Sequence, residues 1–266
     1  MAFPALPDVI FSVTLLLVGA PIFYLLAKAL KLRPKPIVIA DPRKEAKMTF
    51  LVIVVVFVAT ALLAVFDYVI LQPSLQPDTS SFGLVNVLLQ VPYYIGWVLP
   101  VVIAMKRTKQ NRWSIGISRE NIGRMLTVGF ALTAVLYAYD GFVAPYMGAG
   151  FAGFSPSLFY AFIVFTLAGF REEIVWRGYI QTRLVAYSGT LKGIVVTAIL
   201  FTFLHFPVRY YQFSGVTLEA LASTILLIPI SLLFGYMMLR CQNTLPSSIF
   251  HVFYNWSGVV WQILQV

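Results

Sequence analysis

Residues 51–66, LVIVVVFVATALLAVF, and 84–105, LVNVLLQVPYYIGWVLPVVIAM, contain no charged side chain. Apolar runs of this length cross the roughly 30 Å hydrocarbon layer of a bilayer as helices, and that requirement governs how the rest of the chain folds. Helices are expected near 9–28, 48–71, 84–105, 125–143, 157–181, 193–206, 218–239 and 247–265. The expected fold is all-α: a polytopic membrane protein of about eight transmembrane helices enclosing an intramembrane polar cavity. It forms one membrane domain, with N-terminal helices and basic loops in 1–124 and a transmembrane core in 125–266. Only 11% of the 266 residues are charged, about half the share in a soluble domain, which leaves no room for a sizeable soluble domain.

Charge in the connections sets an orientation. Segments 28–47, 106–124 and 171–192 hold seven, six and four Lys/Arg, and Arg240 adds another, whereas the opposite connections hold only Arg209. The positive-inside rule places the basic loops in the cytoplasm and both termini outside. The membrane is the plasma membrane in a prokaryote or the endoplasmic reticulum in a eukaryote. The net charge of +9 is accounted for by topology and anionic headgroups, so no nucleic-acid partner is expected; the lipid bilayer is. The N-terminus MAFPALPDVIF lacks a basic n-region, so no cleavable signal peptide is expected. The lone Cys241 allows no internal disulfide and reads as structural. GAGFAG at 148–153 matches G-x-G-x-x-G, but without a preceding strand it is a Gly-rich connection. Asp67 and Asp140, near the outer ends of their helices, read as solvated or capping acids.

Against this background LAGFREEIVWRGYIQTR (167–183) stands out. Each of Arg171, Glu172, Glu173 and Arg177 would cost roughly 2.5–3.5 kcal/mol at the bilayer centre. On a helix Glu173 and Arg177 are i and i+4, in the favoured orientation, while Glu172 points about 100° away. Glu173 therefore has a partner on its own helix and Glu172 has none. An unpaired carboxylate at this depth must face a polar cavity, where it is a candidate general base. Both histidines of the chain, His205 and His251, also fall in apolar stretches, where ionisable groups are functional suspects. His251 has Asn255 at i+4, and an imidazole beside an amide suits an oxyanion.

Three motifs follow in order: EEIVWR matches E-E-x-x-x-R, FTFLH (201–205) matches F-x-x-x-H, and HVFYN (251–255) matches H-x-x-x-N. Over roughly 157–262 the chain resembles the CPBP intramembrane proteases, which include the type II CAAX prenyl endopeptidases and bacteriocin-processing relatives. The resemblance implies that Glu172 activates water with help from His205, that His251 and Asn255 form the oxyanion hole, and that Glu173 and Arg177 support them. It implies no metal and no cofactor, an active site opening toward the cytoplasm, and cleavage of a prenylated CAAX protein or peptide, or of another membrane-associated peptide. No H-E-x-x-H, G-x-G-D or G-x-S-G motif supports another protease chemistry. One alternative is zinc held by Glu172, His205 and His251; another is a non-catalytic peptide-binding or immunity-type relative.

Depth is the difficulty. Counting about 1.5 Å per residue, His251 lies about 8 Å past its helix start at Pro246, and His205 about 18 Å past Lys192. To share one water, helix six must start deeper or 184–192 must dip into the membrane, with Pro207 ending or kinking the helix just beyond His205.

Overall fold

The computed structural model describes residues 6–71, 82–151 and 153–263. The long apolar runs become α1 (Leu6–Ala29), α2 (Pro42–Val65, continued by a π-helix Phe66–Leu71), the short α3 (Leu84–Leu88) with α4 (Gln90–Arg107), and α5 (Ile122–Val143). The second half is more broken: α6 (Pro156–Glu173), a π-helix (Ile174–Gln181), α7 (Thr182–Ser188), α8 (Thr190–Leu204), α9 (Phe206–Gln212), α10 (Thr217–Ile225), α11 (Ile228–Cys241) and α12 (Leu245–Val260). This is a nearly all-α, polytopic membrane fold. Among the described residues, six stretches are long and apolar enough to cross a bilayer: Phe11–Ala29, Pro42–Val69, Leu84–Arg107, Ile122–Tyr146, Thr190–Gln212 and Thr217–Cys241. Two further segments differ for physical reasons, since α6 ends in Arg171, Glu172 and Glu173, and α12 has only 16 residues.

Several boundaries differ from the sequence expectation. The last helix stops at Val260, and Trp261–Ile263 (β2) pairs antiparallel with Ala149–Phe151 (β1). The Gly-rich connection thus supplies one strand of a small ribbon. The connection 72–81 and the two chain ends lie outside the described residues. Pro207 does mark a break: α8 ends at Leu204, and α9 resumes at Phe206 with the proline in its first turn, where a missing N–H costs nothing.

Two apolar clusters frame the molecule. One joins α1, α5, α11 and α12 through Phe23, Leu132, Phe234 and Phe250; the other joins α2, α4, the second π-helix and α8 through Val56, Trp97, Trp176 and Phe201. The charged segment 171–177 runs between them. Its continuation packs so closely on the loop before α5 that a Cβ on Gly178 would lie 2.5 Å from the Ile115 carbonyl oxygen. Gly178→Ala is therefore expected to cost about 1–3 kcal/mol, read as a lower thermal midpoint in detergent. Gly123→Ala, where an added Cβ meets nothing within 4 Å, should leave the midpoint unchanged.

Candidate functional site

Helix α6 delivers three charged residues in succession, and each is taken by a different neighbour. Arg171 points at α4: its Nη1 donates to Gln90 Oε1 at 2.9 Å, and the guanidinium lies 4.8 Å from the Trp97 ring centroid and 5.1 Å from that of Tyr93. A cation over aromatic faces is stabilised without water. Arg171 Nη2 also reaches Glu172 Oε1 at 3.3 Å. Glu172 consequently has a partner on its own helix, contrary to the expectation above. Adjacent residues can meet because Glu172 engages through Oε1 alone, leaving Oε2 directed elsewhere.

Glu172 Oε2 faces both histidines, 3.7 Å from His205 Nε2 and 3.7 Å from His251 Nε2. The other nitrogen of each ring is committed. His205 Nδ1 is 2.8 Å from the Phe201 carbonyl oxygen, and His251 Nδ1 is 3.1 Å from Glu173 Oε1. Both of those oxygens are acceptors, so both Nδ1 atoms carry hydrogen, and the Nε2 atoms are the ones that address Glu172. Separations of 3.7 Å are too long for direct hydrogen bonds. They suit a water within reach of the carboxylate and both imidazoles.

Glu173 and Arg177 form the predicted pair, Nε to Oε1 at 3.6 Å, both with no exposed side-chain surface. Their connection runs into the π-helix rather than along a regular α-helix, and such widened turns recur at functional sites. Arg177 is further held by Ser231 Oγ at 3.0 Å from Nη2 and by the rings of Phe201 (4.6 Å) and Phe234 (5.7 Å). Phe234 also stacks on His251 at 4.6 Å. Glu173 therefore does two jobs, pairing with Arg177 and fixing the His251 ring. Asn255 is half-buried one turn beyond His251, and among the described residues its side chain takes no hydrogen-bond partner.

The structure brings both histidines to one carboxylate, and the start of α12 is enclosed: Ser247 and Ser248 are fully buried and Asn243 before them is buried, held by Ser118 of the basic loop. Helix α8 meanwhile begins at Thr190, after a tight reversal at Gly189 (φ +88°), a backbone that favours glycine.

Sequence reasoning missed the α4 contribution (Gln90, Tyr93 and Trp97) and the α11 pair Ser231 and Phe234. Nothing in an apolar span distinguishes an aromatic that cages a cation from one that faces lipid. It also missed a second buried ion pair, Arg183 Nε to Glu45 Oε2 at 3.3 Å, reinforced by Arg183 Nη1 on the Ser114 carbonyl at 2.6 Å. That pair ties α7 to α2 and lies apart from the histidines. A polar cavity of about 430 Å³ at the basic-loop end, lined by Lys35, Trp113, Ser118, Asn121 and Gln242, also holds none of the site residues.

The loop side of Glu172 is closed by Trp176, Tyr179 and Ile180, all fully buried. The partly exposed groups around the site are His205, Tyr93 and Asn255. Among the described residues, no three His, Cys, Asp or Glu side chains form a group that could hold a metal ion.

Arg171 has a testable consequence. Arg171→Gln removes the charge beside Glu172 Oε1 and is expected to lower kcat about 10–100-fold, since a charge-assisted contact of this kind contributes about 1.5–3 kcal/mol. Arg171→Lys, which keeps the charge but loses the two-handed reach to Gln90 and Glu172, should recover only part of it. Equal activity of all three proteins in detergent would refute the role.

The resemblance read from the three motifs is borne out. Residues 154–257 match the family model described as Type II CAAX prenyl endopeptidase Rce1-like. No curated protein and no solved structure matches the chain.

Proposed function

We propose that this integral multi-pass membrane protein, whose residues 154–257 carry the Rce1-like match, is an intramembrane endopeptidase in which Glu172 activates the attacking water. The observation that carries the reading is the convergence of Glu172 Oε2 with both histidine Nε2 atoms at 3.7 Å. Glu172 takes a proton from a water that His205 helps to hold, and the hydroxide forms a bond to the carbonyl carbon. The oxyanion is received by Asn255 and by His251, whose Nδ1 is held by Glu173. The protonated Glu172 then gives its proton to the departing amide nitrogen as the C–N bond breaks. The products are a new C-terminal acid and a shortened peptide with a free amine. Glu173 and Arg177 support the arrangement, and no cofactor takes part.

The substrate is a prenylated CAAX protein or peptide cut after the modified cysteine, or another membrane-associated peptide.

The test is cleavage of a farnesylated CAAX reporter peptide by the purified protein, with excess chelator and added zinc run alongside. Cleavage that survives chelator is expected. Loss to chelator and recovery with zinc would move Glu172, His205 and His251 into the role of metal ligands. Binding of the reporter without any turnover would instead favour the non-catalytic relative.

A further inference from the structure

One charged residue near the site has no part in this mechanism. Arg209 is the sole Lys or Arg in 205–217, and it lies one turn past His205, to whose carbonyl its backbone N–H bonds at 3.0 Å. It is half-buried, and among the described residues no carboxylate pairs with it; its Nη1 donates only to Gln212 Oε1 at 3.1 Å. Around it stand tyrosines. Arg209 interacts electrostatically with Tyr254 and Tyr68, and Tyr68 stacks on Tyr211 at 5.6 Å. On the site's side, the Arg171 guanidinium lies 5.1 Å from the Tyr93 ring centroid. Tyrosine rings thus flank both the Arg171 end of the site and the Arg209 guanidinium, with which no carboxylate pairs among the described residues. A cation in an apolar chain is costly unless it is used, and guanidinium is shaped to receive a carboxylate through two parallel hydrogen bonds.

We propose that Arg209 receives the free α-carboxylate of the substrate, so that the cut falls a fixed number of residues from the chain end. The spacing agrees. Three extended residues span about 10 Å; Arg209 lies about 6 Å along the helix beyond His205, and its long side chain adds the remainder. The inference rests on the hydrolytic reading above, and it makes Arg209 the residue that selects chain ends over internal segments.

The test compares two farnesylated reporter peptides that differ only in ending as a free acid or as an amide. Full-length wild-type, Arg209→Lys and Arg209→Gln proteins are used in nanodiscs. Wild type is expected to favour the acid by about tenfold or more in kcat/KM, through KM. Arg209→Gln removes the preference, and Arg209→Lys restores part of it. Equal rates for acid and amide with wild type overturn the proposal, whatever the cleavage rate. A preference that persists in Arg209→Gln also overturns it and leaves Arg209 as an anchor to lipid phosphate. A second arm measures binding of both peptides by fluorescence anisotropy in a Glu172→Gln background. Tighter binding of the acid that disappears with Arg209→Gln supports the carboxylate site even where no peptide is cut, an outcome that would count against hydrolysis instead. Equal binding of acid and amide overturns the carboxylate site.

Discussion

Glu172→Gln is expected to abolish turnover of the farnesylated reporter, lowering kcat by at least about 10²–10⁴-fold, the range that general-base catalysis supplies. The substitution keeps the shape of the side chain and its contact with Arg171 Nη2, seen at 3.3 Å through Oε1, while removing the basic oxygen. Arg171 retains Gln90 and the Trp97 and Tyr93 rings, so the thermal midpoint should move by only a few degrees. Activity and stability are thereby separated in one variant. Undiminished cleavage in folded Glu172→Gln protein would falsify the mechanism outright.

The largest effect on stability is expected at Glu173 and Arg177. Neither side chain has any exposed surface, and removing one member strands a charge, which costs about 3–5 kcal/mol. Arg177→Met and Glu173→Leu should each lower the thermal midpoint markedly in detergent. The pair is not ideally satisfied, however: Glu173 Oε2 and Arg177 Nη1 are buried without a hydrogen-bond partner among the described residues. Replacing both by apolar residues of similar volume is often neutral, so the double variant Glu173→Leu/Arg177→Met should recover most of the midpoint. It should not recover activity, because His251 Nδ1 loses the carboxylate that orients it. A double variant that regains both would show that the pair serves stability alone.

Much of this site could be read from residue types and spacing. Charges and histidines are rare in apolar helices, and each costs enough to demand a reason. That is why Glu172, Glu173, Arg177, His205 and His251 were identifiable before their neighbours were. Asn255 was legible only through its spacing from His251. What escaped the sequence was the part built from common residues. Gln90, Tyr93 and Trp97 carry the Arg171 charge, yet they sit in a span whose composition is that of any membrane helix. The enclosure of the start of α12 escaped for a related reason. A proline after a polar turn looks like an exposed helix start, and only packing reveals that Ser247 and Ser248 are buried. The pairing of Glu45 with Arg183 joins residues 138 positions apart, beyond anything local pattern can register.

The π-helix at Ile174–Gln181 bears on how such a site is put together. Such a widened turn holds one residue more than the α-helical turn it interrupts. Which residue reaches Ser231 and which packs on Ile115 is therefore set by the winding of this turn as well as by the spacing of the motif letters. The chemistry at this position thus depends on how the helix is wound as much as on which residues it contains.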